Sequence, residues 1–187
     1  MKFIYTISIE FTQSQIKAYE NGATRFIVPI ELSEYQKNIG NTLEDIENIY
    51  IENGNLFIYL KGDYRQVSKI PIQKGDKDIW IKEEFIVSIN ENILYKNYKY
   101  YIDDLSAIEW KSASEMTKEQ SRYTISECID VRVVRVQDIL HRDWMKTSWK
   151  SLFFSVQEFY NNQLKEQNIN RTYEDNDYIF LIKIIKE

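Results

Sequence analysis

Glu83 stands where a carboxylate is costly. In the stretch DIWIKEEFIVSI (Asp78–Ile89), an extended chain puts Ile79, Ile81, Phe85, Val87 and Ile89 on one face, with Glu83 in the middle of that apolar row. An unpaired charge cannot be buried there cheaply. Two readings follow. Either the strand breaks around Lys82–Glu84 and both acids are solvated, or Glu83 lines a cleft. In a cleft it could accept hydrogen bonds from a ligand's amino group or act as a base.

The other chemistry-bearing residues are sparse. Trp80 and Trp110 are of the type that stacks on splayed bases, and equally of the type that packs a core. His141 has no second histidine to work with and reads as a surface residue. Cys128, the single cysteine, reads as a small buried apolar group. One Cys and one His exclude an internal disulfide and leave no zinc site, so no metal and no cofactor is expected. No glycine-rich phosphate loop, HExxH, CxxC pair or nucleophile elbow occurs.

The elements that must position these residues are mostly strands. Phe3–Glu10 and RFIVPI read as strands. Between them, Thr12 and Gln15 fit a capping box, Phe11 and Ile16 a hydrophobic staple, and Asn21-Gly22 a stop, which predicts a helix over 13–20. NIYIENGNLFIYLK is a hairpin turning at Asn53-Gly54-Asn55. QVSKIPI, Asp78–Ile89 and YKNYKYYI supply further strands. SRYTISECIDVRVVRVQDI is the longest β signal, with a phase slip between Val133 and Val134 that predicts a bulge. VQDILHRDWMK reads as a short helix. Trp149, Leu152, Phe153, Val156, Phe159, Tyr160 and Leu164 carry a helical stripe, and YIFLIKIIK reads as a central strand.

The 187 residues, 43% of them hydrophobic, suffice for one domain with a proper core. No apolar run is long enough for a bilayer, and the N-terminus lacks a cleavage site, so the expected compartment is the cytoplasm. The net charge of −5 weighs against indiscriminate binding to a phosphate backbone. Charge is uneven, however: 30–60 holds six acids and one Lys, and 131–150 holds five Lys/Arg and two Asp.

Several segments together resemble the ASCH-like proteins of phages and prophages, within the PUA-like superfamily. GDKDIWIKEEF (Gly75–Phe85) is similar to their GD-x-LWVRE-x-F. EWKSASEMTKEQSRYTISECIDVRVVRVQDI (Glu109–Ile139) is similar to a segment with Trp, Lys/Arg, Met, Ser-Arg and DVRVERLQDI in the same order. NDYIFLIKIIK resembles their closing strand, and Ile9–Ile30 is a fainter echo of their N-terminus. The resemblance spans one domain over 1–187, with 31–74 a divergent, hairpin-containing insertion.

The resemblance implies an α+β fold, a small PUA/ASCH-like β-barrel or strongly bent mixed sheet with about three flanking helices. It implies a cleft for a nucleotide, a modified base or single-stranded nucleic acid. Trp80, Trp110 and Tyr123 would stack, Glu83 would read an exocyclic amine, and Arg25, Lys111 and Arg122 would meet phosphate. Some relatives hydrolyse N4-acetylcytidine with a Lys, a Thr and a Glu. Carried over by position, the Glu is Glu83 and the Thr is Thr24. The Lys has no counterpart, since NGATRF offers Ala23; Lys17 and Lys82 are the candidates to replace it in space. Binding without catalysis is therefore the expectation, with amidohydrolysis the alternative. A third reading is an acidic phage protein that binds a host protein through 31–60 and works in the host cytoplasm.

Overall fold

A computed structural model describes residues 7–30, 48–60, 63–88, 91–96, 109–139, 153 and 155–186. The architecture is mixed α+β. Its main sheet has five strands in the order β1-β6-β9-β10-β2: Ser8–Glu10 (β1), Lys77–Lys82 (β6), Thr124–Arg135 (β9), Tyr178–Lys186 (β10) and Arg25–Pro29 (β2). β1 runs parallel to β6 and the other pairings are antiparallel, so the sheet is mixed. A three-stranded sheet joins Asn48–Glu52 (β3), Asn55–Leu60 (β4) and Asp63–Lys69 (β5), and a two-stranded ribbon joins Phe85–Val87 (β7) and Ile93–Tyr95 (β8). Among the described residues none of these sheets closes into a barrel, so the strands expected of one form open sheets instead.

Local sequence accounts for much of this. Helix α1 (Gln13–Glu20) starts at the expected box: Thr12 Oγ1 accepts from Gln15 N at 3.3 Å, and Gln15 Oε1 accepts from Thr12 N at 2.7 Å. The β3–β4 hairpin turns on Asn53 (φ 48°) and Gly54 (φ 75°), the left-handed pair that a two-residue turn requires. Helix α2 (Val156–Glu166) begins later than the apolar stripe suggested. Ser155 caps it, its Oγ accepting from Glu158 N at 3.1 Å, and Phe153 packs from outside the helix against Phe159 at 4.8 Å. Two α-helices are described rather than three. The VQD segment forms one 3-10 turn, Val136–Asp138, followed by an extended Ile139; the remainder of that expected helix, with His141, and the start of the apolar stripe, Trp149 and Leu152, lie outside the described residues.

β10 is the central strand expected from YIFLIKIIK, with Ile179, Phe180, Leu181, Ile182 and Ile184 all buried. Its register with β9 slips at two places, opposite Cys128–Asp130 and opposite Ile125–Glu127. The bulge read at Val133/Val134 therefore sits several residues earlier. Val131 to Arg135 pair regularly with Tyr178 to Ile182, of which Ile179 to Ile182 form an unbroken buried run.

Both helices dock on the edge strand β2. Gln15 Nε2 and Gln163 Nε2 donate to the same carbonyl, Ile27 O, at 2.8 and 3.0 Å. Ser14 ties the helices together through Glu166, with Oγ to Oε1 at 2.7 Å. A backbone acceptor that would otherwise template another strand is thereby occupied. The main core continues through Phe11, Ile16, Tyr19, Phe26 and Phe159. A smaller cluster of Trp80, Phe85 and Met116, with Ile93 and Tyr95 against it, stands apart at the end of β6.

Candidate functional site

The opening row of alternating residues does not run through as one strand. β6 ends at Lys82 and β7 starts at Phe85, with Glu83-Glu84 between them. Up to that break the phase holds: Ile79 and Ile81 are wholly buried, and Glu83, next in phase, is only 3% exposed. Beyond it the phase fails, since Phe85 is buried but Val87 is exposed. Glu83 is thus at a break between strands and buried, a combination that neither simple reading of the stretch contained.

Arg122 explains the burial. Its Nε donates to Glu83 Oε1 and its Nη2 to Glu83 Oε2, each at 2.8 Å, a two-pronged pair of planar groups. The chain is built to bring them opposite. Ile81 N donates to Tyr123 O at 3.0 Å, and Ser121 Oγ donates to Ile81 O at 2.7 Å, fastening the Ser121-Arg122-Tyr123 segment beside the end of β6. The guanidinium lies between two rings, 4.6 Å from the centre of Tyr95 and 4.7 Å from that of Tyr123. Burial works against its charge, but the hydrogen bonds and charge of Glu83, with Glu20, more than offset this and raise its proton affinity.

Glu20, the last residue of α1, joins the same group. Its Oε1 accepts from Tyr123 Oη at 2.6 Å and lies 3.4 Å from Arg122 Nη2. Burial and that hydrogen bond both push the Tyr123 hydroxyl above its ordinary value. Lys186, near the end of β10, donates to Tyr19 O and lies 4.1 Å from the Tyr19 ring centre. Burial lowers its pKa, with Glu20 opposing. Tyr19 Oη in turn donates to Thr124 O at 2.8 Å. The result is a web of alternating charge and aromatic surface linking α1, β9 and β10.

Next to this web lies the smaller cluster. Lys82 Nζ stands 5.1 Å from the Trp80 ring centre, and Lys111 Nζ stands 5.9 Å from that of Phe85. Lys111 is held there by its backbone, which exchanges hydrogen bonds with Phe85 at 2.8 and 3.3 Å. The 109–123 segment is stiffened by two 3-10 turns, Ala113–Glu115 and Lys118–Gln120, each with a reciprocal cap, and Met116 between them plugs the Trp80–Phe85 pair. Trp80 is itself 8% exposed, and its Nε1 is buried without a hydrogen-bond partner.

The structure therefore brings together Trp80, Lys82, Glu83, Lys111, Arg122 and Tyr123, with Trp110 half-buried beside Lys111. It leaves Arg25 apart, on β2, three strand spacings from β6, or roughly 14 Å across the sheet. Thr24 is exposed, four residues past Glu20, and its carbonyl accepts from Ile184 N at 2.9 Å. Among the described residues, a niche of about 10 Å³ lies against Glu83, lined also by Phe11, Gln13, Ile16, Glu84 and Lys96, space for a single water rather than a base. Lys96 closes it by pairing with Glu84 at 2.7 Å.

Sequence reasoning missed Glu20, Tyr95, Phe85 and Lys186 as members of this corner. Glu20 alone carried a signal: a carboxylate at a helix C-terminus opposes the helix dipole and needs a cation elsewhere. Among the described residues, no helix is long and apolar enough to cross a membrane, and no cluster of three or more His, Cys, Asp or Glu could hold a metal. No family model, curated protein or solved structure matches the chain.

Proposed function

We propose that the chain is a PUA/ASCH-like binding module for a nucleotide or single-stranded nucleic acid, used at the corner where β6, the β7–β8 ribbon and the 109–123 segment meet. The observation that carries this reading is the placing of three cations on aromatic faces at this one corner: Lys82 on Trp80, Lys111 on Phe85, and Arg122 against Tyr95 and Tyr123. Cations grouped at one corner are what a single strand's phosphates require, and the half-buried Tyr95 and Tyr123, rather than the buried Trp80 and Phe85, are the rings within reach of a base. The net charge of −5 restricts such binding to this local patch.

Amidohydrolysis finds less support. Both oxygens of Glu83 are engaged by Arg122, and the niche beside them is water-sized. Incubation with N4-acetylcytidine is expected to release no cytidine above buffer. The binding reading is tested by fluorescence anisotropy of a labelled single-stranded RNA at low salt. Saturable binding that a Lys82→Gln/Lys111→Gln variant loses supports it. An unchanged anisotropy at high micromolar protein rules it out.

A further inference from the structure

The polar groups of the corner divide into those already bonded and those that are not. The carboxylates are bonded: Glu83 to Arg122 through both oxygens, Glu84 to Lys96, and Glu20 to Tyr123 and Arg122. The groups left without a hydrogen-bond partner among the described residues include the ammonium of Lys82, the ammonium of Lys111 and the buried indole N–H of Trp80. Among the described residues neither lysine has a carboxylate within 4.0 Å, and the indole has no acceptor. All three are donors. An exocyclic amine of a base is also a donor, and the carboxylate beside Lys82 in the chain, Glu83, is buried with both oxygens turned to Arg122, so the partnerless groups favour an acceptor-rich ligand.

We infer that the corner takes its ligand by a phosphate group, held by Lys82 and Lys111, and that Glu83 is a positioning residue for Arg122 rather than a reader of the base. This rests on the nucleotide reading above and assigns its specificity. The ligand is chosen for its phosphate, with little regard for which base it carries. The half-buried Lys82 ammonium lies over the Trp80 face, where a ring quadrupole stands in for the missing carboxylate. The ionised oxygens of a phosphate would supply the acceptor that each lysine lacks.

The test is titration calorimetry with cytidine, cytidine 5′-monophosphate and inorganic phosphate, on the parent chain, on Lys82→Gln/Lys111→Gln and on Lys82→Arg/Lys111→Arg. The nucleotide is expected to bind at least about tenfold more tightly than the nucleoside. The Gln pair is expected to lose about tenfold per lysine, the worth of one charge-assisted hydrogen bond, and the Arg pair to retain most of the affinity. Cytidine binding as tightly as its monophosphate, or a Gln pair that binds as the parent does, overturns the phosphate assignment and leaves the binding reading standing. Inorganic phosphate binding as tightly as the nucleotide keeps the anion site and removes the nucleotide from it. Absence of binding by all three, and by single-stranded RNA, ends both.

Discussion

Arg122 holds both oxygens of Glu83 at 2.8 Å, and the two residues are 39 apart in the chain. The pair joins the break between β6 and β7 to the start of β9, and it is the reason a carboxylate can occupy the apolar row. Removing one partner strands the other. Arg122→Ala is expected to destabilise the fold by about 3–5 kcal/mol, since it leaves Glu83 buried and unpaired. Arg122→Lys is expected to recover only part of this, because an ammonium cannot match the planar fork. A Glu83→Leu/Arg122→Met double variant is expected to be more stable than Arg122→Ala alone. Urea denaturation followed by circular dichroism reads all three, and a double variant less stable than the single one would refute the argument.

Cys128 gives a pH dependence of defined sign. Burial, with Asp76 adding to it, pushes its thiol up to about 11 from 9.0. Below pH 9 the thiol is neutral whether the chain is folded or not. Between pH 9 and 11 the unfolded chain ionises while the folded one does not, so stability falls as pH rises, by at most about 1.4 kcal/mol per unit. The slope in that window is expected to be shallower in Cys128→Ala. Parallel curves for parent and variant would contradict the assignment. At neutral pH the folded chain is expected to react with a thiol reagent only as fast as it unfolds.

Gly54 tests the hairpin. At φ 75° a side chain is strained, and a Cβ would fall 2.2 Å from Gln73 Nε2. The Gln73 side chain is exposed and can swing away; the backbone cannot. Gly54→Ala is expected to cost about 1–2 kcal/mol, and adding Gln73→Ala is expected not to restore it. Full rescue by the second change would mean that the clash, not the backbone, sets the cost.

How much of this was legible beforehand depended on whether the signal was local. The α1 box, the Asn53-Gly54 turn and the β10 run were readable because a few neighbouring residues specify each one. The α2 start was misplaced because its stripe continues through Phe153, which packs on the helix without belonging to it. Glu83 was singled out correctly as anomalous, but its partner lay 39 residues away, and only the Ser121 and Tyr123 hydrogen bonds to β6 bring Arg122 opposite it. Open sheets rather than a barrel follow from pairings between distant strands, which alternation along one strand does not encode. Arg25 shows the same limit: adjacent in motif to the candidate Thr24, it stands three strands from the corner.

The central claim is that the cations on rings at the end of β6 bind a phosphate-bearing strand. The most direct test is the salt dependence of single-stranded RNA binding, compared between the parent and the Lys82→Gln/Lys111→Gln variant. If each lysine meets one phosphate, log affinity against log salt is expected to be shallower in the variant by about 1.4, the counterion release of two contacts on a single strand. Equal slopes, or no binding by the parent at low salt, would contradict the account.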